Sequence, residues 1–361
     1  MQHGATHRAG IVIANLAIRS IKMNANATTM GPAVCEPTEK RSRWRRHGGL
    51  IAGLVLLAAV IYFALHIGEA RQFVDLVKGA DPLWLLAGAG YQAATYVLNG
   101  AVWYLVLKKF GTPVALWPLA KLSLAKMSME KMVPAGGLGG SMMLVRSLES
   151  KGASEDAASA SLVVDTISLQ ASRALSIVLS VAILWVYNGL HYMVIVVSLV
   201  FALFSAAILG AIFWLIYTNN RDIPRWMKRF PGVGAIVRCV ADAPPESVEN
   251  KSLLWKATSL KIAMLLLQVA TLDAMLRSIG HSARADHLFA SFSMSSAASI
   301  VTLIPGGVGA FEGFSILMLG LLKVPIAAGL AATLMLRVFI LWLPMIPGFF
   351  VLRHESRHLV E

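Results

Sequence analysis

The stretch VPAGGLGG, residues 133–140, puts a proline and four glycines into eight residues, between a helix-like run and an apolar stretch that ends at Arg146. The surrounding chain has 361 residues, 57% of them hydrophobic and 14% charged, with a mean hydropathy of +0.67, a composition typical of a polytopic membrane protein. Helix breakers at membrane depth are tolerated only where protein or a water-filled cavity satisfies the freed N–H and C=O groups. Reading the fold therefore comes down to where this break lies relative to the bilayer.

Runs of spanning length, roughly 20 residues for a ~30 Å hydrocarbon core, occur at 48–67, 83–107, 158–188, 191–219, 258–279 and 326–352. The run 158–188 exceeds one perpendicular crossing and carries Asp165, Gln170 and Arg173, which predicts a tilted crossing or one that begins along the interface. Lysine and arginine bias sets the orientation: RSRWRRH before the first run, Lys108 and Lys109 after the second, and seven Lys/Arg in 220–257 all predict cytosolic loops. Two crossings, 158–188 and 191–219, already join the last two of those loops, so 112–151 is expected to enter and leave on the cytosolic side. By the same parity 287–324 enters and leaves from outside.

Each of these segments is interrupted in its middle, one by VPAGGLGG and the other by IPGGVGAFEG (304–313), which share a β-branched residue, a proline and a GG-x-G run offset by one position. Paired interruptions of this kind are the sequence signature of inverted-repeat transporters with a midplane binding site. The alternative is two close-packed helix pairs whose small residues let the backbones approach. The expected fold is an all-α polytopic membrane protein, with about six transmembrane helices and two opposed re-entrant helical hairpins in an inverted-repeat arrangement. A disordered basic cytosolic tail would occupy 1–47, the membrane domain 48–352 and a cytosolic tail 353–361; Met23 and Met30 are alternative starts.

After each break a second half-helix is expected, whose free N–H groups and positive dipole end favour an anionic group such as a phosphate. The backbone at Gly136, Gly137, Gly139 and Gly140, and at Gly306, Gly307 and Gly309, is thus expected to face a lipid headgroup. Ahead of the first break, KLSLAKMSMEKM (121–132) places Lys126 and Glu130 at i,i+4 spacing on one face, in or near the membrane. Snorkelling toward the interface accounts for Lys121 but less easily for Glu130 and Lys131. In the second break lies Glu312, and Arg337 stands deep in the last run, where a centred arginine costs about 2.5 to 3.5 kcal/mol on insertion scales. Glu312 is the expected partner, in a structural pair or as half of a substrate or proton site. Asp165 and Arg173 either contribute to the site or satisfy each other across two turns, and Asp273, toward the outer end of its run, completes the set of intramembrane charges.

Lys126, Arg173 and Arg337 are accordingly the expected headgroup cations, with Glu130, Glu312 and Asp165 serving gating or coupling. No catalytic residues, metal ligands or cofactor are expected, since no Walker loop, H-E-x-x-H or G-x-S-x-G occurs. The two cysteines, Cys35 and Cys239, lie far apart, and the spaced pair His354 and His358 reads as a solvated helix end. A net charge of +13 is distributed at the edges of apolar runs, where anionic headgroups and insertion bias place it, and not on a face interleaved with aromatics that would bind nucleic acid.

With MVPAGGLGGSMMLVRSLESKG, IPGGVGAFEGFSILMLGLLKVP and LRVFILWLPMIPG in place, the chain resembles the lysylphosphatidylglycerol synthase transmembrane-region family, also described as flippase-like integral membrane proteins, over about 48–352. The resemblance implies a domain that binds and translocates polar lipids, or acts beside enzymes that make lipid-linked products. The aminoacyl-transferase activity of the family name resides in a separate soluble domain, so no lysyl transfer is expected here. Ser141 stands where many relatives carry an acidic residue. The expected function is translocation of an anionic or zwitterionic lipid across the inner membrane, both termini cytosolic. The alternative is a non-transporting accessory or scaffold protein for lipid or glycolipid synthesis. Expected partners are membrane lipids and lipid-biosynthetic enzymes, with a homo-oligomer compatible and no nucleic acid. A membrane-embedded enzyme using Glu130 or Glu312 as acid or base is a third reading, which lacks a nucleophile or metal set.

Overall fold

The computed structural model describes residues 77–112, 114–132, 138–188, 192–218, 237, 239–301, 307 and 309–348. The two expected tails and the run 48–67 lie outside the described residues. Among the described residues the regular structure is helical throughout. Helix α1 spans Pro82–Lys109, α2 Leu116–Met132, α3 Leu138–Ser150, α4 Glu155–Asn188 and α5 Tyr192–Thr218. A single turn, α6 (Glu246–Glu249), precedes α7 (Lys251–Ser278), α8 (Ala285–Val301), α9 (Ala310–Leu321) and α10 (Ile326–Arg337).

Local chemistry explains the boundaries. Asp81 accepts a hydrogen bond from the Leu83 N–H at 2.8 Å, and Pro82 sits at the first helical position, where its missing N–H leaves nothing unsatisfied. Lys108 and Lys109 close α1 at the negative end of its dipole. Asn250 caps α7 by accepting from the Leu253 N–H at 3.0 Å. Helix α10 runs on through a π turn, Val338–Trp342, into a last helical segment ending at Gly348. Pro344 explains the wide turn: its ring would clash with the carbonyl four residues back, at Ile340, and it offers no N–H to an α-helical bond.

Among the described residues, four helical stretches are long and apolar enough to cross a membrane: Glu155–Val186, Val194–Tyr217, Lys251–Ser278 and Ile326–Gly348. The expected run 83–107 corresponds to α1, whose 28 residues reach about 42 Å at 1.5 Å per residue, but buried Gln92, Thr95 and Asn99 lower its apolar content. The outer faces are apolar. Val178 and Trp185 on α4, Leu199, Leu203 and Trp214 on α5, and Leu266 on α7 are all exposed, an extent that water would penalise and hydrocarbon accepts. Trp185 and Tyr192 at one end of the α4–α5 hairpin, and Trp214 and Tyr217 at the other, mark the headgroup levels where amphipathic rings settle.

Helix α7 packs along α1 and also against α4 and α10. One apolar core joins α7, α8, α9 and α10 through Leu272, Met275, Leu288, Phe292, Phe311 and Leu336; a second joins α4, α5, α8 and α9 through Ile177, Phe201, Met294 and Met318. Around the first break, α3 packs against α2, and around the second, α9 packs against α8. A Cβ at Gly140 would lie 2.5 Å from Glu130 Cγ and 2.9 Å from the Lys126 carbonyl oxygen, so only glycine lets α3 start this close to α2. Gly100 lets α2 approach α1 in the same way, since a Cβ there would meet the Ala120 nitrogen at 2.8 Å. Because backbone cannot swing aside as a side-chain tip can, Gly100→Val is expected to destabilise by about 1 to 3 kcal/mol, read as a lower unfolding midpoint in detergent. An unchanged midpoint would contradict this packing.

Candidate functional site

The polar side chains of α1, α2, α4 and α7 meet in one buried layer. Asp165, 2% exposed, accepts from Lys126 Nζ at 2.9 Å through one oxygen and from Lys261 Nζ at 2.6 Å through the other. Lys126 also pairs with Glu130 at 3.2 Å, one turn along α2, and lies 5.8 Å from the centre of the Trp103 ring. Lys261 donates its second bond to Asn99 Oδ1 at 2.5 Å, and the Asn99 amide donates to Ser123 Oγ at 2.9 Å. The arrangement follows from helix register. Asn99 lies ten residues before Lys109, Lys126 ten after Leu116, Asp165 ten after Glu155 and Lys261 ten after Lys251, each an end of its helix. Ten residues rise about 15 Å, half of a ~30 Å hydrocarbon core, so the layer sits at mid-depth when these ends meet the interface.

A second ionic contact forms at the other break. Arg337, eleven residues from either end of the stretch Ile326–Gly348, pairs through Nε with Glu312 Oε1 at 2.7 Å. Its Nη2 donates to the Gly307 carbonyl at 2.9 Å, and its guanidinium lies 4.2 Å from the centre of the Phe311 ring. Glu312 in turn accepts from the Gly309 N–H at 2.6 Å, filling the anion position at the N-terminus of α9. Gly307 and Gly309 hold positive φ angles of 62° and 86°, and a Cβ on Gly307 would collide with Ser299. The same arginine thus holds both the carboxylate and the backbone of the break, while Ser315 and Thr333 tie α9 to α10 at 2.9 Å beside it. At the first break the side chain of Glu130 packs beside Gly140, near the start of α3.

Two buried ionic clusters, each beside a Gly/Pro interruption in an apolar chain whose described elements are helical, coincide with a match to a known family: the profile described as lysylphosphatidylglycerol synthase TM region aligns with residues 50–348. The chain belongs to this family. Membership ties this membrane protein to lipid handling. Among curated proteins, none matches the chain significantly.

The site residues expected from sequence fall into three groups. Lys126, Glu130 and Asp165 come together in the polar layer, and Glu312 and Arg337 come together at the second break. Arg173 lies further along α4, its Nη1 3.5 Å from Gln170 Oε1. The mutual pairing of Asp165 and Arg173 is replaced by the two lysines, because Asp165 turns both oxygens toward α2 and α7. Among the backbone positions, Gly136, Gly137 and Gly306 lie outside the described residues, Gly139 and Gly140 begin α3, and the Gly309 N–H is taken by Glu312. Asp273 pairs with Arg277 at 2.7 Å, partly exposed toward the end of α7. Cys239, within the expected cytosolic loop 220–257, is buried.

Sequence reasoning missed Lys261 and Asn99. Helix α7 begins at Lys251, seven residues before the apolar run 258–279, so Lys261 reads from hydropathy as a residue at the start of a span and from structure as one at its middle. The available signal was the i,i+10 spacing from Lys251, together with the absence of a helix breaker between them.

Proposed function

We propose that this protein binds a lipid with an anionic or zwitterionic headgroup and translocates it across the inner membrane, without chemical change to the lipid. The observation that carries this reading is the Lys126–Asp165–Lys261 cluster, buried at 7%, 2% and 4% exposure on three different helices. Buried charges in a membrane domain are expensive to hold and are found where substrate passes. They also sit where a headgroup would have to cross. Membership of a family tied to lipid handling supports lipid as the substrate.

In this reading the chain crosses the bilayer six times with both termini cytosolic, and α2–α3 and α8–α9 are re-entrant hairpins entering from opposite faces. Their lengths favour it: at 17, 13, 17 and 12 residues these helices rise about 18 to 26 Å, short of a ~30 Å core. Lys126 and Arg173 contact the headgroup, Asp165 and Glu130 hold the cations in place, and Arg337 with Glu312 latches the second hairpin, the arginine turning to substrate only when the latch opens.

The test is reconstitution of the full chain into liposomes carrying fluorescent phospholipid in both leaflets, with a membrane-impermeant quencher outside. Wild-type protein is expected to expose inner-leaflet probe, and Lys126→Gln to slow that exposure about tenfold or more, the size of one charge-assisted hydrogen bond. A wild type that retains lipid yet moves none would replace transport by an accessory lipid-holding role. Unaltered rates in Lys126→Gln and in Arg173→Gln would remove both cations from the path.

A further inference from the structure

One member of the polar layer is not sealed in. The side chain of Glu130 is 28% exposed, while those of Lys126, Asp165 and Lys261 are at 9% or less. It is seated in a notch: a Cβ on Gly140 would lie 2.5 Å from Glu130 Cγ and 3.1 Å from Oε1, so the glycine at the start of α3 makes room for this side chain. Glu130 also stands two residues before Met132, where α2 ends at the interruption. It thus combines access to water with a bond into the layer, to Lys126 at 3.2 Å.

The cations it serves are the two assigned to the headgroup. Glu130 bonds to Lys126 and, ahead of Asp165, supplies the opposing charge felt by Arg173. In the bare chain a carboxylate therefore stands in for a phosphate. Two anions on the same cations repel one another, so an arriving phosphate displaces Glu130. A carboxylate left among apolar groups without its cations is costly to keep charged and neutralises by taking up a proton. The charge balance leads to the same step. Three cations, Lys126, Lys261 and Arg173, face two carboxylates, Asp165 and Glu130. Exchanging the Glu130 carboxylate for a phosphate monoanion leaves that balance unchanged once Glu130 is protonated. Of the other charges on the helices packed against α2, Lys108 and Lys109 stand in the last turn of α1, and Arg146 and Glu149 act on each other along α3.

We infer that Glu130 is a tethered counter-anion that exchanges with the headgroup phosphate, taking up a proton as the phosphate takes over Lys126 and Arg173, so that lipid and proton cross together. This rests on the reading of Lys126 and Arg173 as headgroup contacts in a lipid translocator. The step balances: an O–H bond forms on the Glu130 carboxylate and one breaks in a hydronium ion admitted with the headgroup, leaving water. On release the proton returns to water, and the carboxylate returns to Lys126 and expels the phosphate.

In detergent, fluorescent phosphatidylglycerol is added to the weakly buffered full chain in the presence of a soluble pH dye. In liposomes the same lipid is followed under a pH gradient, with protein-free liposomes as the blank. Wild-type protein is expected to take up protons as lipid binds, and a gradient of about one pH unit to enrich the lipid about tenfold in the leaflet facing the alkaline side, the ratio set by one proton per lipid. Glu130→Gln is expected to retain lipid several-fold more tightly, to take up no proton and to ignore the gradient, with an unfolding midpoint within a few degrees of wild type. Glu130→Asp, which keeps a titratable carboxylate, is expected to restore part of the response. Lipid movement by the wild type that is blind to the gradient and absorbs no proton overturns the exchange and leaves translocation standing. Proton uptake that depends on Glu130, without movement of lipid, upholds the exchange and overturns translocation. Uptake that persists in Glu130→Gln assigns the proton to another group and overturns the proposal.

Discussion

Asp165→Ala is expected to lower the unfolding free energy of the detergent-solubilised protein by about 3 to 5 kcal/mol, the range for removing one partner of a buried ionic group. The magnitude follows from what remains. Lys126 and Lys261 converge on opposite oxygens of the same carboxylate at 2.9 and 2.6 Å, so its loss leaves two ammonium groups facing one another. Lys126 still has Glu130 at 3.2 Å and Lys261 still has Asn99, which keeps the variant folded at low temperature. Adding Lys261→Met removes the repulsion, and the double variant is expected to recover about 1 to 3 kcal/mol, a positive coupling of the size seen in shared networks. Chemical unfolding followed by tryptophan fluorescence reads both numbers. Simple additivity of the two substitutions would mean that the lysines do not share Asp165 in the folded protein.

The latch at the second break supports an equally large effect with a sharper control. Glu312→Gln leaves Arg337 buried with half of its bonds, and a loss of about 3 to 5 kcal/mol is again expected. A bare ion pair would be rescued by exchanging its ends. Here the exchange Glu312→Arg with Arg337→Glu is expected to fail, because an arginine at 312 cannot accept from the Gly309 N–H and a glutamate at 337 cannot donate to the Gly307 carbonyl. Recovery of more than half of the lost stability by the exchange would reduce the latch to a charge pair. Arg337→Lys keeps the charge without the fork and is expected to fall between wild type and Glu312→Gln.

How far the sequence reaches can be judged on particular residues. Hydropathy located α4, α5 and the last stretch to within a few residues, because a lipid-facing helix must be apolar on most sides and the pattern is therefore redundant. Glu312 and Arg337 could be matched because each is a lone charge in a long apolar setting and few partners exist for either. Asp165 was harder. Its near neighbour Arg173 on the same helix offered a local partner, but the true ones come from 39 residues upstream and 96 downstream, and nothing in a single sequence announces a contact at those distances. The crossing number is a third case: the paired hairpins depend on parity counted from loops, a quantity that helix lengths support without deciding.

The π turn after Arg337 divides the last membrane stretch into two differently anchored rods. Above it, Arg337 is held by α9 and its preceding loop; below it, the Pro344 carbonyl accepts from Ser128 of α2 at 3.0 Å, and Gly348 packs against the same serine. A wide turn holds one residue more than an α-turn, and passing that residue along the helix swivels the lower rod by about 100° relative to the upper. Each rod carries one of the two interrupted helix pairs. The joint therefore separates the anchorage of the two interrupted pairs, one residue below the arginine at the centre of the stretch.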